Sequence, residues 1–200
     1  MSNDDAFVTH IALRDGADAV VRPLEATDAE TLGDFFLGLS EKTRSTYGPH
    51  AFDRETAVKL CDEVGDGITV RFVGEVEGTD GPEFVGYMIL TRTIWPDDVT
   101  RYEGRLELDK CACLAPVVAD AYQSQGVGTT MAQHVMASAA KMGLVQVILM
   151  GGVIDDNHRA RKLYERLGFQ YAGEFWTPRK GGGRTLNHNM IVEFDGETGS

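Results

Sequence analysis

The segment whose residues are best suited to binding a ligand is 121–135, AYQSQGVGTTMAQHV, where two closely spaced glycines precede an expected helix. Gly126 and Gly128 permit positive φ and let the main chain approach a ligand closely. The first N–H groups of a helix lack partners within it, and the helix dipole adds to their preference for an anion. The N–H groups from Gln125 to Thr129 can therefore bind a diphosphate, although the segment holds no lysine or arginine.

The same spacing has a second interpretation, a tight strand-to-helix turn that binds no ligand, and the spacing alone favours neither. Two common nucleotide motifs do not fit. Met131 stands where the third glycine of a Rossmann Gly-x-Gly-x-x-Gly turn would fall. A P-loop is excluded because the turn lacks the Gly-Lys-Ser/Thr that holds phosphates in that motif.

A second group of candidate residues lies in NHRARKLYERLGF, residues 157–169. The expected helix has an apolar face at i, i+3, i+4 and i+7, formed by Ala160, Leu163, Tyr164 and Leu167. On this pattern alone Tyr164 is a core residue. Asn157 is a natural N-cap, but capping by Asp155 or Asp156 would leave its side chain for a ligand, and we favour that second role.

The composition indicates a folded chain whose surface does not attract polyanions. The 200 residues carry a formal charge of −12, which argues against binding nucleic acid or an anionic membrane. No second Cys or His cluster has ligand spacing, so no metal is expected. The acidic N-terminal segment lacks a hydrophobic signal core, and no apolar run reaches the length of a membrane span, which predicts a cytoplasmic protein.

The remaining pattern predicts one mixed sheet with helices on both sides. We expect an N-terminal arm over 1–18 with room for one extra strand, a domain over 19–195 and a tail over 196–200. Strands are expected at 19–24, 68–76, 84–92, 106–118 and 144–153, with two more flanking 178–189. Helices are expected from Thr27 to Leu39, from Asp53 to Val64, from Val127 to Met142 and from Asn157 to Leu167.

Local signals define the first two helices. Thr27 and Glu30 have the spacing of a capping box, and Asp53 is the expected N-cap of the second helix. The apolar face of the first helix is predicted to consist of Leu32, Phe35, Phe36 and Leu39.

Together, VVADAYQSQGVG and NHRARKLYERLGF resemble two motifs of the GCN5-related N-acetyltransferase (GNAT) superfamily. The first matches the Gln/Arg-x-x-Gly-x-Gly/Ala motif through Gln123, Gly126 and Gly128. The second matches the Asn…Leu-Tyr…Gly-Phe signature through Asn157, Leu163, Tyr164, Gly168 and Phe169. The order of elements from 19 to 194 is also similar to that of the family.

The resemblance implies a mixed α/β (α+β) fold: a twisted, mostly antiparallel sheet of about six or seven strands, flanked by about four helices, with a splayed central parallel pair. It also implies acetyl-CoA as cosubstrate. The residues implied to contact it are Val117 and Val118 for the pantetheine, Gln123, Ser124, Gln125, Gly126, Val127, Gly128 and Thr129 for the pyrophosphate, and Asn157 for a pantetheine amide. Pro116 departs from the usual pattern of a central strand, because proline cannot donate to the ladder.

Two catalytic roles follow from the resemblance and from the chemistry of acyl transfer. Tyr164 is similar to the tyrosine that protonates the CoA sulfur in many relatives, and a phenol of pKa about 10 is protonated at neutral pH. Relatives place a glutamate base on the strand before the turn, but Cys113 appears at that position here. Glu107 and Asp109 share one face of the same expected strand, and Glu107 is the preferred candidate for the base.

The predicted function is transfer of an acetyl group from acetyl-CoA to a primary amine, directly within a ternary complex. The acceptor is a small molecule or a peptide, for which the sequence gives no pocket signature, although residues 40–52 and the hairpin around Trp176 are candidate contacts. A noncatalytic acyl-CoA sensor or scaffold is the main alternative, and a nucleotide-binding module is a second. A homodimer is compatible with the exposed ends of the last strands.

Overall fold

The computed structural model describes residues 6–13, 16, 18–179 and 182–194. The chain divides into two compact units, Met1–Leu90 with Ala115–Ser138, and Thr91–Leu114 with Ala139–Ser200. The described residues form nine strands and six α-helices, in a mostly antiparallel sheet with one parallel pair. The predicted class is therefore confirmed, whereas the predicted counts of six or seven strands and four helices were too low.

The first unit contains four consecutive antiparallel strands. These are β1 (Thr9–Ala12), β2 (Asp18–Pro23), β3 (Thr69–Glu77) and β4 (Pro82–Thr91), the last ending one residue beyond the unit. Ile11 pairs with Ala19, and Val21 pairs with Gly74. The predicted arm thus contributes the extra strand β1, while residues 1–5, 14, 15 and 17 of the arm and the predicted tail 196–200 lie outside the described residues.

Three helices follow β2 in the first unit: α1 (Ala29–Gly38), α2 (Glu41–Ser45) and α3 (Arg54–Asp62). The predicted apolar face of α1 is confirmed, because Leu32, Phe35, Phe36 and Leu39 are all buried. Asp53 caps α3 as predicted, accepting the Thr56 N–H across 2.7 Å.

The capping box was placed wrongly by the sequence prediction. It is formed by Glu25 and Asp28, around a 3-10 turn at Ala26–Asp28, and not by Thr27 and Glu30. The reason is an ion pair with Arg22, which precedes the helix. Arg22 donates to both carboxylate oxygens of Asp28, at 2.7 and 2.9 Å, and this fixes Asp28 as the residue that bonds back to the Glu25 N–H.

Helix α5 (Val127–Lys141) packs against the sheet of the first unit through Met131, which is fully buried. Its thioether sulfur fills the space where side chains of Gly74 and Gly86 would stand. A Cβ at Gly74 would lie 2.7 Å from that sulfur, and one at Gly86 would lie 2.5 Å from it. These two glycines therefore create the depression in β3 and β4 that receives α5.

The second unit contains α4 (Pro96–Arg101), β6 (Gln146–Leu149), β7 (Val153–Ile154), α6 (His158–Arg166), β8 (Gln170–Pro178) and β9 (Arg184–Glu193). Strand β5 (Cys111–Val118) begins in this unit and ends in the first. β5 pairs with β6 in parallel, Cys113 opposite Ile148, and β9 pairs antiparallel with β6, β7 and β8. Tyr102, Cys111, Cys113, Ile148 and Ile191 form the core of this unit.

Candidate functional site

The predicted strand-to-helix turn is present. Strand β5 ends at Val118, a 3-10 turn spans Asp120–Tyr122, and α5 starts at Val127. Gly126 has φ of 95° and its carbonyl accepts the Thr130 N–H at 3.0 Å, the first i to i+4 bond of the helix. The N–H groups of residues 127–129 precede that bond and so have no partner within the helix, which is the arrangement that favours an anion.

Ser124 also has a positive φ, 64°, which the sequence did not suggest because the residue is not glycine. Such a conformation is uncommon for serine and is held here by its neighbours. The Gln125 side chain donates to the Ala121 carbonyl across 2.6 Å, which ties the turn to the preceding 3-10 segment. The main chain from Ser124 to Gly126 is therefore a defined turn.

Gln123 holds the two ends of this connection together. Its Nε2 donates to the Val118 carbonyl at 2.9 Å and to Thr43 Oγ1 at 3.1 Å. A side-chain amide has two N–H donors, so both are engaged, and the remaining Oε1 can only accept. The side chain of Gln123 thus shapes the turn, and its contact with a bound anion stays a prediction.

Val118 was predicted to contact the pantetheine through its main chain. Its carbonyl is engaged by Gln123, and the next residue, Ala119, donates its N–H to the Val85 carbonyl at 2.9 Å. A carbonyl oxygen has a second lone pair, so a pantetheine contact at Val118 stays a prediction. Val117 is buried and Pro116 half-buried, and both lie within β5.

A cluster that sequence reasoning missed surrounds Asp120. Its carboxylate accepts the Ser40 N–H at 2.9 Å, the Ser40 hydroxyl at 2.7 Å and the Thr43 hydroxyl at 2.7 Å. Burial raises the Asp120 pKa, but the hydrogen bonds from Ser40 and Thr43 outweigh it and hold the pKa below its ordinary value. The Ser-x-x-Thr spacing predicts a helix cap, which Ser40 provides, but not a partner so distant in the chain.

Asn157 is the N-cap of α6, its side-chain oxygen accepting the Ala160 N–H at 3.2 Å. The expectation that Asp155 or Asp156 would take this position was wrong. Asp155 instead accepts from Arg161 at 3.1 Å and bonds His188 Nε2 at 2.7 Å. The cofactor role of Asn157 stays a prediction, and its Nδ2, which plays no part in the cap, is the donor that an amide carbonyl would need.

Tyr164 lies on the inward face of α6 and is 7% exposed. Its ring packs against Phe169 with centroids 5.6 Å apart, and it is the buried member of the predicted apolar face, whose other residues, Ala160, Leu163 and Leu167, are half-buried. Burial raises the pKa of the Tyr164 hydroxyl, so the phenol stays protonated at neutral pH. This is the protonation state that a general acid requires.

Glu107 does not lie on a strand, contrary to prediction. Strand β5 starts only at Cys111, and Glu107 precedes a short 3-10 turn at Leu108–Lys110 with its side chain exposed. The cause is the buried Gln146, whose amide accepts the Glu107 N–H at 2.7 Å and donates to the Arg105 carbonyl at 3.1 Å. The shared strand face proposed for Glu107 and Asp109 therefore does not exist.

The three cysteines, Cys61, Cys111 and Cys113, are buried and unpaired. Burial raises the pKa of Cys61 to about 11 and of Cys111 to about 12, and that of Cys113 is raised further. They are thiols rather than thiolates at neutral pH. The described residues contain no group of three His, Cys, Asp or Glu side chains that could hold a metal ion. Within the same residues, no helix is long and apolar enough to cross a bilayer.

The family model for the GNAT acetyltransferases matches residues 37–169, more than half of the chain. The chain belongs to this family. Among curated proteins, none matches it. The match covers both motifs, the turn around Gly126 and the helix that carries Tyr164.

Solved structures agree on the fold. The GNAT domain of S. lividans PAT is 20% identical with a TM-score of 0.71, covering 94% of this chain and 97% of its own. Mycobacterium smegmatis RimJ, solved with CoA-disulfide, is 17% identical with a TM-score of 0.70, covering 93% and 86%. The ribosomal-protein-S5-alanine acetyltransferase of Vibrio fischeri is 15% identical with a TM-score of 0.69, covering 92% and 96%.

Proposed function

We propose that this protein is an acetyl-CoA-dependent N-acetyltransferase that acts on a primary amine. The observation that carries the proposal is the turn at Gly126, where three N–H groups precede the first bond of α5 in a member of the GNAT family. Each charge of a diphosphate placed there gains typically about 0.3–1 kcal/mol from the helix dipole. The missing cationic side chain is therefore no obstacle to binding.

The residues proposed to bind acetyl-CoA come from three segments. Main-chain N–H groups of Gln125 to Thr129 bind the diphosphate, Val117 and Val118 bind the pantetheine, and Asn157 bonds one of its amides. The cap uses the Oδ1 of Asn157, and its Nδ2 is the donor proposed to bond the pantetheine amide carbonyl. Tight alignment of the thioester with the amine supplies much of the rate acceleration in such a transfer.

Tyr164 is the proposed general acid. The amine nitrogen attacks the acetyl carbon, the C–S bond breaks, and the departing sulfur takes its proton from the Tyr164 hydroxyl. The support for this role is the match of Tyr164 to the family signature, together with a protonated hydroxyl that can donate to the sulfur as negative charge develops there.

Glu107 is the proposed base that collects the amine proton through water. Its support is its exposure and the fixed position of its main chain, which Gln146 holds through the Glu107 N–H. Its exposure lets water reach the carboxylate and carry the proton from the amine.

Transfer is proposed to be direct, without an acyl-cysteine intermediate. The nucleophile in such an intermediate is a thiolate. Cys111 and Cys113 are fully buried and their raised pKa values keep them protonated. An acetyl group bound to the coenzyme therefore passes to the amine in one ternary complex.

For the acceptor we favour a peptide or protein amine. The Vibrio fischeri neighbour is named a ribosomal-protein-S5-alanine acetyltransferase, and its fold matches this chain almost throughout. Small amines are the competing acceptors in the test below.

The test combines binding and turnover on the purified protein. Calorimetry measures the affinity for CoA and acetyl-CoA, and thiol release is followed with a panel of N-terminal peptides and small amines, with mass spectrometry of the products. Acetylated amine together with free CoA supports the proposal. CoA binding without product across the panel supports a noncatalytic acyl-CoA sensor, and stabilisation by ATP or NAD but not by CoA supports a nucleotide-binding module.

A further inference from the structure

A hydrogen-bond network joins helix α2 to the proposed diphosphate turn. We call it the α2–turn network and define it by Ser40, Thr43, Asp120 and Gln123, all within the first unit. Nothing in the acetyl-transfer chemistry uses these hydroxyls, and Asp120 lies two residues beyond the end of β5. The network is therefore a feature that the proposed reaction leaves unexplained.

Thr43 is the central residue of the network because its hydroxyl bonds both Asp120 and Gln123. Oγ1 donates to Asp120 Oδ1 at 2.7 Å and accepts from Gln123 Nε2 at 3.1 Å. Gln123 in turn donates to the Val118 carbonyl at 2.9 Å. A single side-chain oxygen thus connects the carboxylate of Asp120 to the bond that closes the turn.

Helix α2 is bonded to the end of α1 through Arg44, and this fixes the position of Thr43. Arg44 donates to the carbonyls of Phe36, Leu37 and Leu39, each at 2.8 Å, at the C-terminal end of α1. It also donates to the Phe52 carbonyl at 3.2 Å. Because Arg44 and Thr43 are neighbours, the position of α1 is transmitted through α2 to Gln123.

We propose that Thr43 and Asp120 are positioning residues for coenzyme binding, which hold Gln123 and hence the turn in the conformation that receives the diphosphate. The inference rests on the proposed function, since it names the coenzyme that the turn binds. Asp120 orients the Thr43 hydroxyl, which leaves a lone pair for Gln123. Neither Thr43 nor Asp120 contacts the coenzyme in this role.

The discriminating experiment compares acetyl-CoA with S-acetylpantetheine, which has the thioester but no diphosphate. Thr43→Val removes the hydroxyl and keeps the shape. We expect it to raise KM for acetyl-CoA and Kd for CoA roughly three- to tenfold, the effect of about one hydrogen bond, with kcat nearly unchanged. Kinetics with S-acetylpantetheine should stay within about twofold of wild type, because that substrate does not use the turn.

Matched variants separate positioning from general damage. Thr43→Ser keeps the hydroxyl and should restore wild-type affinity. Thr46→Val removes a hydroxyl that donates to the Thr43 carbonyl and not to the Thr43 side chain, and should leave both substrates unaffected. Asp120→Asn should reproduce the Thr43→Val effect, and the two together should lose less than the sum, because they disrupt one network.

Three results would overturn the proposal. They are an unchanged CoA affinity in Thr43→Val, an equal loss with S-acetylpantetheine, or additive effects of Thr43→Val and Asp120→Asn. The calorimetric comparison needs no turnover, so a wild-type protein that binds CoA but transfers no acetyl group would refute the enzymatic function and still test the network. A wild type that binds no CoA refutes both. Thermal unfolding of each variant shows whether it is folded.

Discussion

The side-chain amide of Gln123 donates a hydrogen bond across 2.9 Å to the main-chain carbonyl of Val118, where strand β5 ends. This bond closes a short loop between the strand and the turn that precedes α5. It requires an N–H donor at position 123, which both glutamine and arginine supply. The motif position is thereby explained by loop closure, with no charge needed at the anion.

Gly126→Ala tests the geometry of the turn. Its φ is 95° and nothing lies within 4 Å of an added Cβ, so the cost is conformational, about 1–2 kcal/mol. We expect Tm to fall by about 2–4 °C for each kcal/mol lost and CoA affinity to weaken. Gly48→Ala, which also meets nothing within 4 Å but has an ordinary φ, is the control. Equal behaviour of the two alanine variants would show that the turn needs no glycine.

Tyr164→Phe tests the proposed acid. Loss of the hydroxyl should lower kcat roughly 10²-fold or more while CoA affinity changes little, because proton transfer acts only during reaction. The measurement is steady-state kinetics with calorimetry. Tyr171→Phe serves as control, since Tyr171 is 59% exposed in the same unit. Wild-type turnover in Tyr164→Phe would assign the tyrosine to the core alone.

Glu107→Gln tests the proposed base, with Asp109→Asn as its exposed neighbour in the same segment. A base that accepts the amine proton should contribute roughly 10²-fold to kcat/KM. This ratio is measured for both variants and the wild type. If the two variants behave alike, Glu107 is a surface carboxylate.

Gly86→Ala tests the packing of Met131 against β4. The new methyl would stand 2.5 Å from the buried Met131 sulfur, and such overpacking costs about 1–3 kcal/mol. Met131→Ala alone leaves a cavity and costs about 2–5 kcal/mol. Chemical denaturation of both variants and the double variant should show less than additive loss, because the methyl then occupies space vacated by methionine. Additivity would mean that the two sites do not share one space.

The Asp155–His188 bond predicts a particular pH dependence. The hydrogen bond from His188 is the main cause that holds the Asp155 pKa below its ordinary value. The bond's contribution to stability is therefore fully present above the unfolded-state pKa of about 3.9 and is lost as pH falls through the lower folded-state pKa. The difference in unfolding free energy between wild type and Asp155→Asn should shrink below about pH 4. Asp156→Asn is the adjacent control, and a difference that grows on acidification would contradict the assignment.

The sequence predicted well where local pattern and tertiary structure agree. The buried face of α1, the Asp53 cap and the turn from β5 to α5 all follow from spacing and residue type. The parallel pair implied by the family resemblance is also present, between β5 and β6, and β6 is buried along its length. In the helix face, the cap and the turn, residues close together in the sequence determine the local structure.

The failures have distant causes. Residues 106–110 alternate like a strand, but the side chain of Gln146 takes the main-chain groups that a ladder would use. His188 similarly draws Asp155 away from the α6 cap, and Arg22 determines which acid closes the first capping box. Gln146 and His188 are remote in sequence from the residues they bind, and Arg22, six residues before Asp28, precedes the segment in which the capping box was sought.

The depression formed by Gly74 and Gly86 links those two positions to the start of α5, where we propose that the diphosphate binds. Met131 lies one helical turn beyond Val127, the first residue of α5, so whatever shifts the methionine also shifts the N–H groups that open the helix. Substitutions within the strands could therefore tune coenzyme affinity while every residue around the diphosphate stays the same. Natural variation at these two glycines is a place to look for relatives with altered coenzyme preference.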